Sequence, residues 1–216
     1  MKPVALTPHA IRKAKKHLAA ADPVMAGIIK QVGHCHFGRS QREDPFTALI
    51  EAIVWQQLSG KAAATIYGRL LKVFPGQRPT PAAILKASED AMRAAGLSRG
   101  KISYLRDLAT KVKDGTVALD DLDHLSDDEI VTSMTRVKGI GRWSAEMFLM
   151  FRLQRLDVLP VGDLAIVKAI QRNYRLRKTP TADRMYRLAE AWRPYRSVAS
   201  WYLWASGDVV PGADGA

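Results

Sequence analysis

Asp163 is the residue of this sequence whose type and position best suit catalysis. It follows a Pro- and Gly-containing turn, residues 159–162, and precedes a predicted helix from Leu164 to Tyr174. A carboxylate placed there can stabilise a positive charge that develops in a transition state, or it can orient a water molecule. The alternative is structural, because an aspartate at a helix N-cap accepts hydrogen bonds from N–H groups such as those of Ala165 or Ile166, which stabilises the helix by about 1 kcal/mol.

A Gly-x-Gly turn lies upstream of this aspartate. A capping box that begins at Ser126 predicts the start of a helix. Gly139 and Gly141 interrupt the helical pattern that follows, where a left-handed residue is expected to end the first helix. A second helix is predicted from Arg142 to Leu153. The two helices and the turn between them form a predicted helix-hairpin-helix motif over about residues 126–153.

The start of the second helix is suited to binding a phosphate group. The N–H groups of Gly141, Arg142 and Trp143 have no acceptor within the helix, and the helix dipole makes this end positive. Lys138 precedes the turn and is placed to contact the same phosphate. A Gly-x-Gly turn also occurs in ordinary helix–helix corners, so these residues alone leave both interpretations open.

The charge of the chain favours a polyanionic partner. The sequence has 33 Lys and Arg residues against 21 Asp and Glu residues, which gives a formal net charge of +12. Nucleic acid is the natural partner for such a protein, although a solvated basic surface has the same composition. The 216 residues, 47% of them hydrophobic, are enough for one compact unit over residues 1–216, and this composition argues against intrinsic disorder.

The single cysteine, Cys35, excludes a disulfide framework and a four-cysteine iron–sulfur cluster. His34 and His36 flank it, but no second cluster completes a tetrahedral site, so no metal site is predicted. No apolar run approaches the length of a membrane span, and residues 1–20 carry too many Lys and Arg for a secretory signal. We therefore expect a cytoplasmic protein with no membrane association.

Helix signals dominate the rest of the chain. Four prolines stand at predicted first helical turns: Pro8, Pro23, Pro45 and Pro81. Glycines lie near the ends of the periodic segments that follow, and no strand pattern competes with them. The sequence therefore predicts an all-α fold of about ten helices.

These motifs together resemble the helix-hairpin-helix DNA glycosylase superfamily. Val137 to Lys168 follows its signature: a hairpin of the type φ-K/P-G-φ-G-x, a helix, a Gly/Pro-rich loop and a single aspartate. The sequence from Gly139 to Ala145, followed by Leu-Pro-x-x-Asp, is similar to the corresponding motif of the DNA-3-methyladenine glycosylase II branch. The resemblance implies two helical subdomains with a cleft between them, and N- and C-terminal helices that pack together.

The resemblance also implies a reaction and its partners. The expected activity is base-excision repair by a monofunctional enzyme that flips alkylated bases out of double-stranded DNA and hydrolyses the N-glycosidic bond. No cofactor and no obligate protein partner are expected; a monovalent cation at the hairpin is possible when DNA is bound. The family's signature makes Asp163 catalytic and places Trp143, Met147 and Trp204 in the substrate pocket.

The same resemblance assigns the DNA contacts. The corner after the predicted helix Phe46 to Leu58 enters the minor groove in the family, with Gln57 at the position of the wedge that fills the gap left by the flipped base. Gln56 and Leu58 are neighbours that could take that role, and a polar helix end is the structural alternative. The hairpin contributes Lys138, Gly139, Gly141 and Arg142.

Three departures from the family's patterns shape these expectations. Met147 stands where the family has an aromatic residue, which bears on the substrate range. Trp143 stands where bifunctional relatives have a Schiff-base lysine, so no lyase activity is expected. Residues 1–30 are predicted to form two helices, so the N-terminal β domain of longer relatives is expected to be missing.

Two other functions remain open on the sequence. A helix-hairpin-helix module that binds DNA or senses damage would use Asp163 only as an N-cap. A glycosylase for deaminated or mismatched bases would share the whole motif.

Overall fold

The computed structural model describes residues 7–38 and 44–207, in which all regular secondary structure is helical. The all-α prediction is confirmed, with twelve α-helices in this part of the chain rather than about ten. They are α1 (Pro8–Ala21), α2 (Pro23–Val32), α3 (Pro45–Trp55), α4 (Gly60–Leu71), α5 (Pro81–Lys86), α6 (Glu89–Ala94), α7 (Arg99–Lys113), α8 (Asp127–Met134), α9 (Arg142–Met147), α10 (Leu164–Asn173), α11 (Ala182–Leu188) and α12 (Arg196–Ala205).

The described residues fall into two compact units. The hairpin unit comprises residues 44–148, with α3 to α9. The aspartate unit comprises residues 7–38 and 149–207, with α1, α2 and α10 to α12. None of the described helices is both long and apolar enough to cross a membrane.

Local sequence signals set most helix starts. α1, α2, α3 and α5 begin at the prolines named above, as predicted, and the side chain before each proline accepts a hydrogen bond from a first-turn N–H group. The predicted pair of helices within residues 1–30 is present as α1 and α2, with residues 1–6 outside the described part. Gly33 ends α2 with a φ of 79°, in agreement with the expectation that glycines lie near helix ends.

In the hairpin unit, α7 is the central helix. It packs against α3, α5 and α6, and Ile102, Leu105 and Leu108 are buried in these contacts. On another face of α7, the carboxylate of Asp107 accepts hydrogen bonds from Lys111 Nζ (2.6 Å) and from the N–H group of Lys138 (2.8 Å). Desolvation opposes the charge, but these bonds outweigh it and hold the pKa of Asp107 below its usual range.

In the aspartate unit, α12 is the central helix. Every residue from Ser197 to Trp204 is buried, and α12 packs against α1, α2 and α10. The first and last helices of the described chain therefore lie against each other. The hydroxyl of Tyr202 donates to the carbonyl oxygen of Gly33 (3.2 Å), which joins α12 to the end of α2.

The N-terminal end of α12 holds the loop that leads to Asp163. Ser197 Oγ accepts a hydrogen bond from Val158 N–H (2.9 Å) and donates one to the carbonyl of Arg155 (2.6 Å). The guanidinium of Arg196 lies 2.7 Å from Asp157 Oδ1 and also donates to the carbonyl of Asp157. This loop is therefore fixed by side chains about forty residues further along the chain.

We expect Ser197→Ala to lower the free energy of unfolding by about 1–3 kcal/mol, because it leaves the buried N–H of Val158 without its acceptor. Urea denaturation followed by circular dichroism measures this. The control Ser103→Ala, at an exposed position of α7, should change stability by no more than about 0.5 kcal/mol. Equal effects of the two substitutions would contradict the bracing role of Ser197.

Candidate active site and DNA-contact residues

The helix-hairpin-helix motif is present, with corrected details. The capping box of Ser126 and Glu129 begins α8, as predicted. Gly139 has a φ of 80°, so it is the left-handed residue of the turn. Gly141 is not left-handed: it has an extended backbone (φ −92°, ψ 174°) and is the N-cap of α9, where it offers no capping side chain. The N–H groups that open α9 therefore face a position where a ligand oxygen can act as acceptor.

Gly139 is also required by the space around it. A Cβ atom at this position would lie 2.3 Å from Cδ2 of Tyr104, on α7, which is far inside van der Waals contact. The next residue before it, Lys138, bonds through its backbone to Asp107 on the same helix. The hairpin thus contacts α7 at two successive residues, Lys138 and Gly139, while the Lys138 side chain remains exposed.

The other two hairpin residues differ in their surroundings. Arg142 is exposed, and its Nε lies 3.9 Å from Oε1 of Glu146, whose side chain is buried. Trp143 is 45% exposed in the first turn of α9, and Met147 is half-buried at the end of that helix.

The predicted helix Phe46 to Leu58 is shorter than expected: α3 ends at Trp55. Lys101 Nζ donates to the carbonyl oxygens of Val54 (2.5 Å) and Gln56 (2.8 Å), and so caps the end of α3. Burial lowers the pKa of Lys101. The ammonium group of Lys101, on α7, therefore stabilises the end of α3 at Trp55. Nothing in the sequence of residues 46–58 predicted this contact.

The three residues after α3 are presented differently. Gln56 Nε2 donates to the carbonyl of Gly139 (2.8 Å), which ties this corner to the hairpin. Gln57 is exposed, with a φ of 57° in the left-handed region that a glutamine rarely adopts. Leu58 is 37% exposed. The structure therefore brings Gln56 to the hairpin, while Gln57 and Leu58 extend into solvent from a strained turn.

Asp163 is the N-cap of α10, and its predicted structural role is confirmed. Oδ1 accepts a hydrogen bond from the N–H group of Ile166 (2.9 Å), and the residue is 8% exposed. The same Oδ1 also accepts a bond from Nε1 of Trp204 (3.0 Å). The helix dipole of α10 favours the negative charge at this end. The family resemblance placed Asp163 and Trp204 in one site, but it did not predict the bond between them.

Phe151 packs against a predicted site residue, and the sequence did not single it out. Its ring stacks on that of Trp204, with centroids 5.9 Å apart and planes at 28°, and meets Phe37 edge to face at 5.8 Å. The predicted α-helix Arg142 to Leu153 is wrong in its second half, because α9 ends at Met147 and a π-helical turn, Phe148–Arg152, follows. That turn breaks the 3.6-residue period, so α-helical spacing did not place Phe151 beside Trp204.

The two units carry very different charges. Among the described residues, the aspartate unit has sixteen Lys and Arg against five Asp and Glu, whereas the hairpin unit has fourteen against thirteen. Arg193 and Arg196 pair with Asp157. Exposed cations with no acidic partner among the described residues continue from the end of α10 through α11: Arg175, Arg177, Lys178, Arg184 and Arg187. The basic character of the protein is therefore concentrated in the unit that contains Asp163.

Two other features lie apart from the predicted site residues. A surface cavity of about 480 Å³ is lined by α2 and by Asn173 to Arg175, and includes no residue that the sequence assigned to the site. Within residues 7–38 and 44–207, no three His, Cys, Asp or Glu side chains are grouped as a metal site would require.

Comparison with known proteins identifies the family. The model of the HhH-GPD superfamily of base excision DNA repair proteins matches residues 50–194, which include the hairpin and Asp163. The chain belongs to this superfamily. The family predicted from Val137 to Lys168 is therefore confirmed.

Individual members of the superfamily are similar over nearly the whole chain. DNA-3-methyladenine glycosylase 1 of Schizosaccharomyces pombe is 37% identical over 203 residues, which are 93% of this chain and 89% of that protein. A crystal structure of a DNA-3-methyladenine glycosidase from Bacillus halodurans is 34% identical, with a TM-score of 0.81 over 94% of this chain and 91% of that one. The S. pombe 3-methyladenine DNA glycosylase in complex with abasic DNA is 36% identical, with a TM-score of 0.76 over 94% and 99% of the two chains.

Replacing Gly139 with alanine should lower the free energy of unfolding by about 2–4 kcal/mol, because the new Cβ meets the Tyr104 ring and the positive φ disfavours alanine. Chemical denaturation measures the change. Gly141→Ala is the matched control: its φ is negative and its Cβ would have no neighbour within 4 Å, so a change within about 1 kcal/mol is expected. Equal stability of the two variants would contradict a close contact between Gly139 and the ring of Tyr104.

Proposed function

We propose that this protein is a monofunctional DNA glycosylase that removes alkylated bases of the 3-methyladenine and 7-methylguanine type from double-stranded DNA. The observation that carries the proposal is the buried carboxylate of Asp163, held by two donors at the start of α10, in a chain of the HhH-GPD superfamily. The names of the S. pombe and B. halodurans relatives support the substrate class.

Asp163 supplies what the reaction needs. When the bond between C1′ and the base nitrogen breaks, the electron pair leaves with the base and positive charge grows on the sugar, as in glycoside hydrolysis. A carboxylate near C1′ stabilises that charge. Water then adds to C1′, its oxygen forms the new bond, and its proton is released through Asp163 or to solvent.

An alkylated purine suits a site of this kind. A 3-methylated adenine already carries positive charge, so it leaves as a neutral base without a strong general acid. The exposed indole of Trp143 offers a face on which such a cation can stack, with a cation–π contribution of about 0.5–2 kcal/mol. Met147, on the same helix, has a more flexible side chain than an aromatic residue and a polarizable sulfur. We assign it to the lining of the pocket for that reason.

The hairpin and the corner after α3 are the proposed DNA contacts. The backbone N–H groups at Gly139 and Gly141, with Lys138 and Arg142, bind a phosphate near the flipped nucleotide. Gln57 fills the space that the flipped base leaves, supported by its outward position in a strained turn. Gln56 supports this corner through its bond to Gly139 rather than entering the duplex.

A monofunctional mechanism follows from the residue after the Gly-x-Gly-x turn. Trp143 stands where a Schiff-base lysine would attack the sugar, and Lys138 lies before the glycines. The products are therefore a free base and an intact strand with an abasic site. Such an enzyme needs no redox or metal cofactor and acts where the genome lies, in the cytoplasm of a bacterium or in a nucleus.

Asp163→Asn should slow the release of methylated bases from methylated duplex DNA by about 100-fold or more under single-turnover conditions. Asparagine also caps helices well, so the variant removes the charge and leaves the N-cap. Asp183→Asn, an exposed acid in α11, is the control and should act at the native rate. With the native enzyme the strand should stay intact without alkali, and borohydride should trap no covalent complex.

Each contrary outcome of this assay has a distinct meaning. Native protein that binds duplex DNA but releases no base would favour the DNA-binding module. Release of hypoxanthine or mismatched bases in preference to methylated ones would favour the third function. An Asp163→Asn variant with the native rate would show that this aspartate is only an N-cap.

The charge difference between the units predicts separate kinetic roles for their cations. Arg184→Gln combined with Arg187→Gln should lower the association rate constant for duplex DNA by about two- to tenfold at low salt, because the aspartate unit attracts DNA at long range, and the difference should vanish near 0.5 M salt. Stopped-flow fluorescence measures this rate. The control pair Arg78→Gln and Lys113→Gln removes two charges from the nearly neutral hairpin unit and should change the rate less. Equal effects would mean that only total charge matters.

A further inference from the structure

We infer that Trp204 is a positioning residue, which acts on the reaction through Asp163 rather than by stacking on the flipped base. The inference rests on the proposed glycosylase function and changes the role that the family resemblance gave to Trp204. The observation behind it is the hydrogen bond from Nε1 of Trp204 to Oδ1 of Asp163, 3.0 Å long and buried.

Among the described residues, donors from two different helices bond to this oxygen. The N–H group of Ile166 comes from the first turn of α10, and the indole N–H comes from α12, 41 residues further along the chain. Rotation of the carboxylate would leave a buried indole N–H without an acceptor, which is costly in a site of low dielectric constant. The two bonds therefore hold Asp163 in one orientation before substrate arrives, as electrostatic stabilisation of a transition state requires.

The indole itself is held in place and covered. Trp204 is 1% exposed and lies in the fully buried stretch of α12. The half-buried ring of Phe151 stacks on it. Because Trp204 is buried, a base could stack on it only after side chains that cover it, such as Phe151, had moved. Trp143, in contrast, is 45% exposed.

The aspartate unit contains a second N-cap aspartate that accepts a hydrogen bond from an indole, although there the indole and the helix N–H groups bond to different carboxylate oxygens. Asp22 is the N-cap of α2, is 8% exposed, and accepts a hydrogen bond from Nε1 of Trp192 (2.9 Å) as well as one from the hydroxyl of Tyr174. That aspartate is used structurally, so an indole bond to an N-cap aspartate is a means of holding a buried carboxylate. Trp192→Phe therefore provides a control that removes the same kind of bond at a position with no assigned chemistry.

The test compares two uncleavable ligands. Each is a duplex in which one nucleotide is replaced, either by a protonated pyrrolidine, which mimics the cationic sugar, or by a neutral tetrahydrofuran. The ratio of the two dissociation constants reports how well the enzyme stabilises positive charge at the sugar. Trp204→Phe keeps an aromatic ring and removes the donor. We expect it to lower the preference for the cationic ligand, and the single-turnover rate, by about ten- to a hundredfold.

Affinity for the neutral duplex should stay within about threefold of the native value, since phosphate contacts dominate it. Trp192→Phe is expected to lower thermal stability and leave the ligand ratio unchanged. Trp201→Phe, one turn earlier on α12, should leave the ratio unchanged as well. If Trp204→Phe folds poorly, replacement of the indole by a benzothiophene, with sulfur in place of the N–H, keeps the ring volume and tests the same bond.

A double-mutant cycle separates the two roles of Trp204. If it acts through Asp163, Trp204→Phe should have little further effect on the rate in the Asp163→Asn background. Multiplicative effects, or an unchanged ligand ratio with weaker binding of free 3-methyladenine, would overturn the inference in favour of base stacking. Failure of the proposed function looks different, because the native enzyme would then neither release bases nor prefer the cationic ligand.

Discussion

The hydrogen bonds that Ile166 and Trp204 donate to Asp163 are the contacts on which the proposed chemistry depends. A carboxylate at a helix N-terminus is stabilised because it satisfies donors that the helix cannot satisfy itself. The negative charge that makes a good N-cap is also the charge that an oxocarbenium-like transition state requires. The structural and chemical interpretations of Asp163 are therefore compatible, since the cap fixes the position from which the charge can act.

Both ends of the segment that leads to Asp163 are controlled by α12. Arg196 and Ser197, at the start of α12, bind the loop that precedes Asp163. Trp204, near the end of α12, donates a hydrogen bond to Asp163 itself. The hairpin unit is organised differently: Tyr104 restricts the turn to a glycine, and polar side chains tie it to α7 and to the corner after α3. The proposed chemistry and the proposed phosphate contact thus rest on separate sets of interactions. Among the described residues, the excess positive charge lies in the aspartate unit.

Features that depend on neighbouring residues could be predicted from the sequence alone. The helix starts at prolines, the capping box at Ser126 and the N-cap role of Asp163 all involve contacts within about four residues. Local backbone geometry and hydrogen bonding decide these features, so residue type and spacing are sufficient. The family motif is equally local, which is why the stretch from Val137 to Lys168 identified the superfamily.

Tertiary structure decided the features that join distant parts of the chain. α3 stops at Trp55 because Lys101, more than forty residues away, caps it. Gln56 reaches the hairpin, and the indole of Trp204 reaches Asp163, across 83 and 41 residues. A π-helical turn, which no periodic pattern in the sequence predicted, places Phe151 beside Trp204. The sequence by itself determined which residue types were available; packing determined which of them meet, because a buried donor bonds to whichever acceptor the folded chain brings within reach.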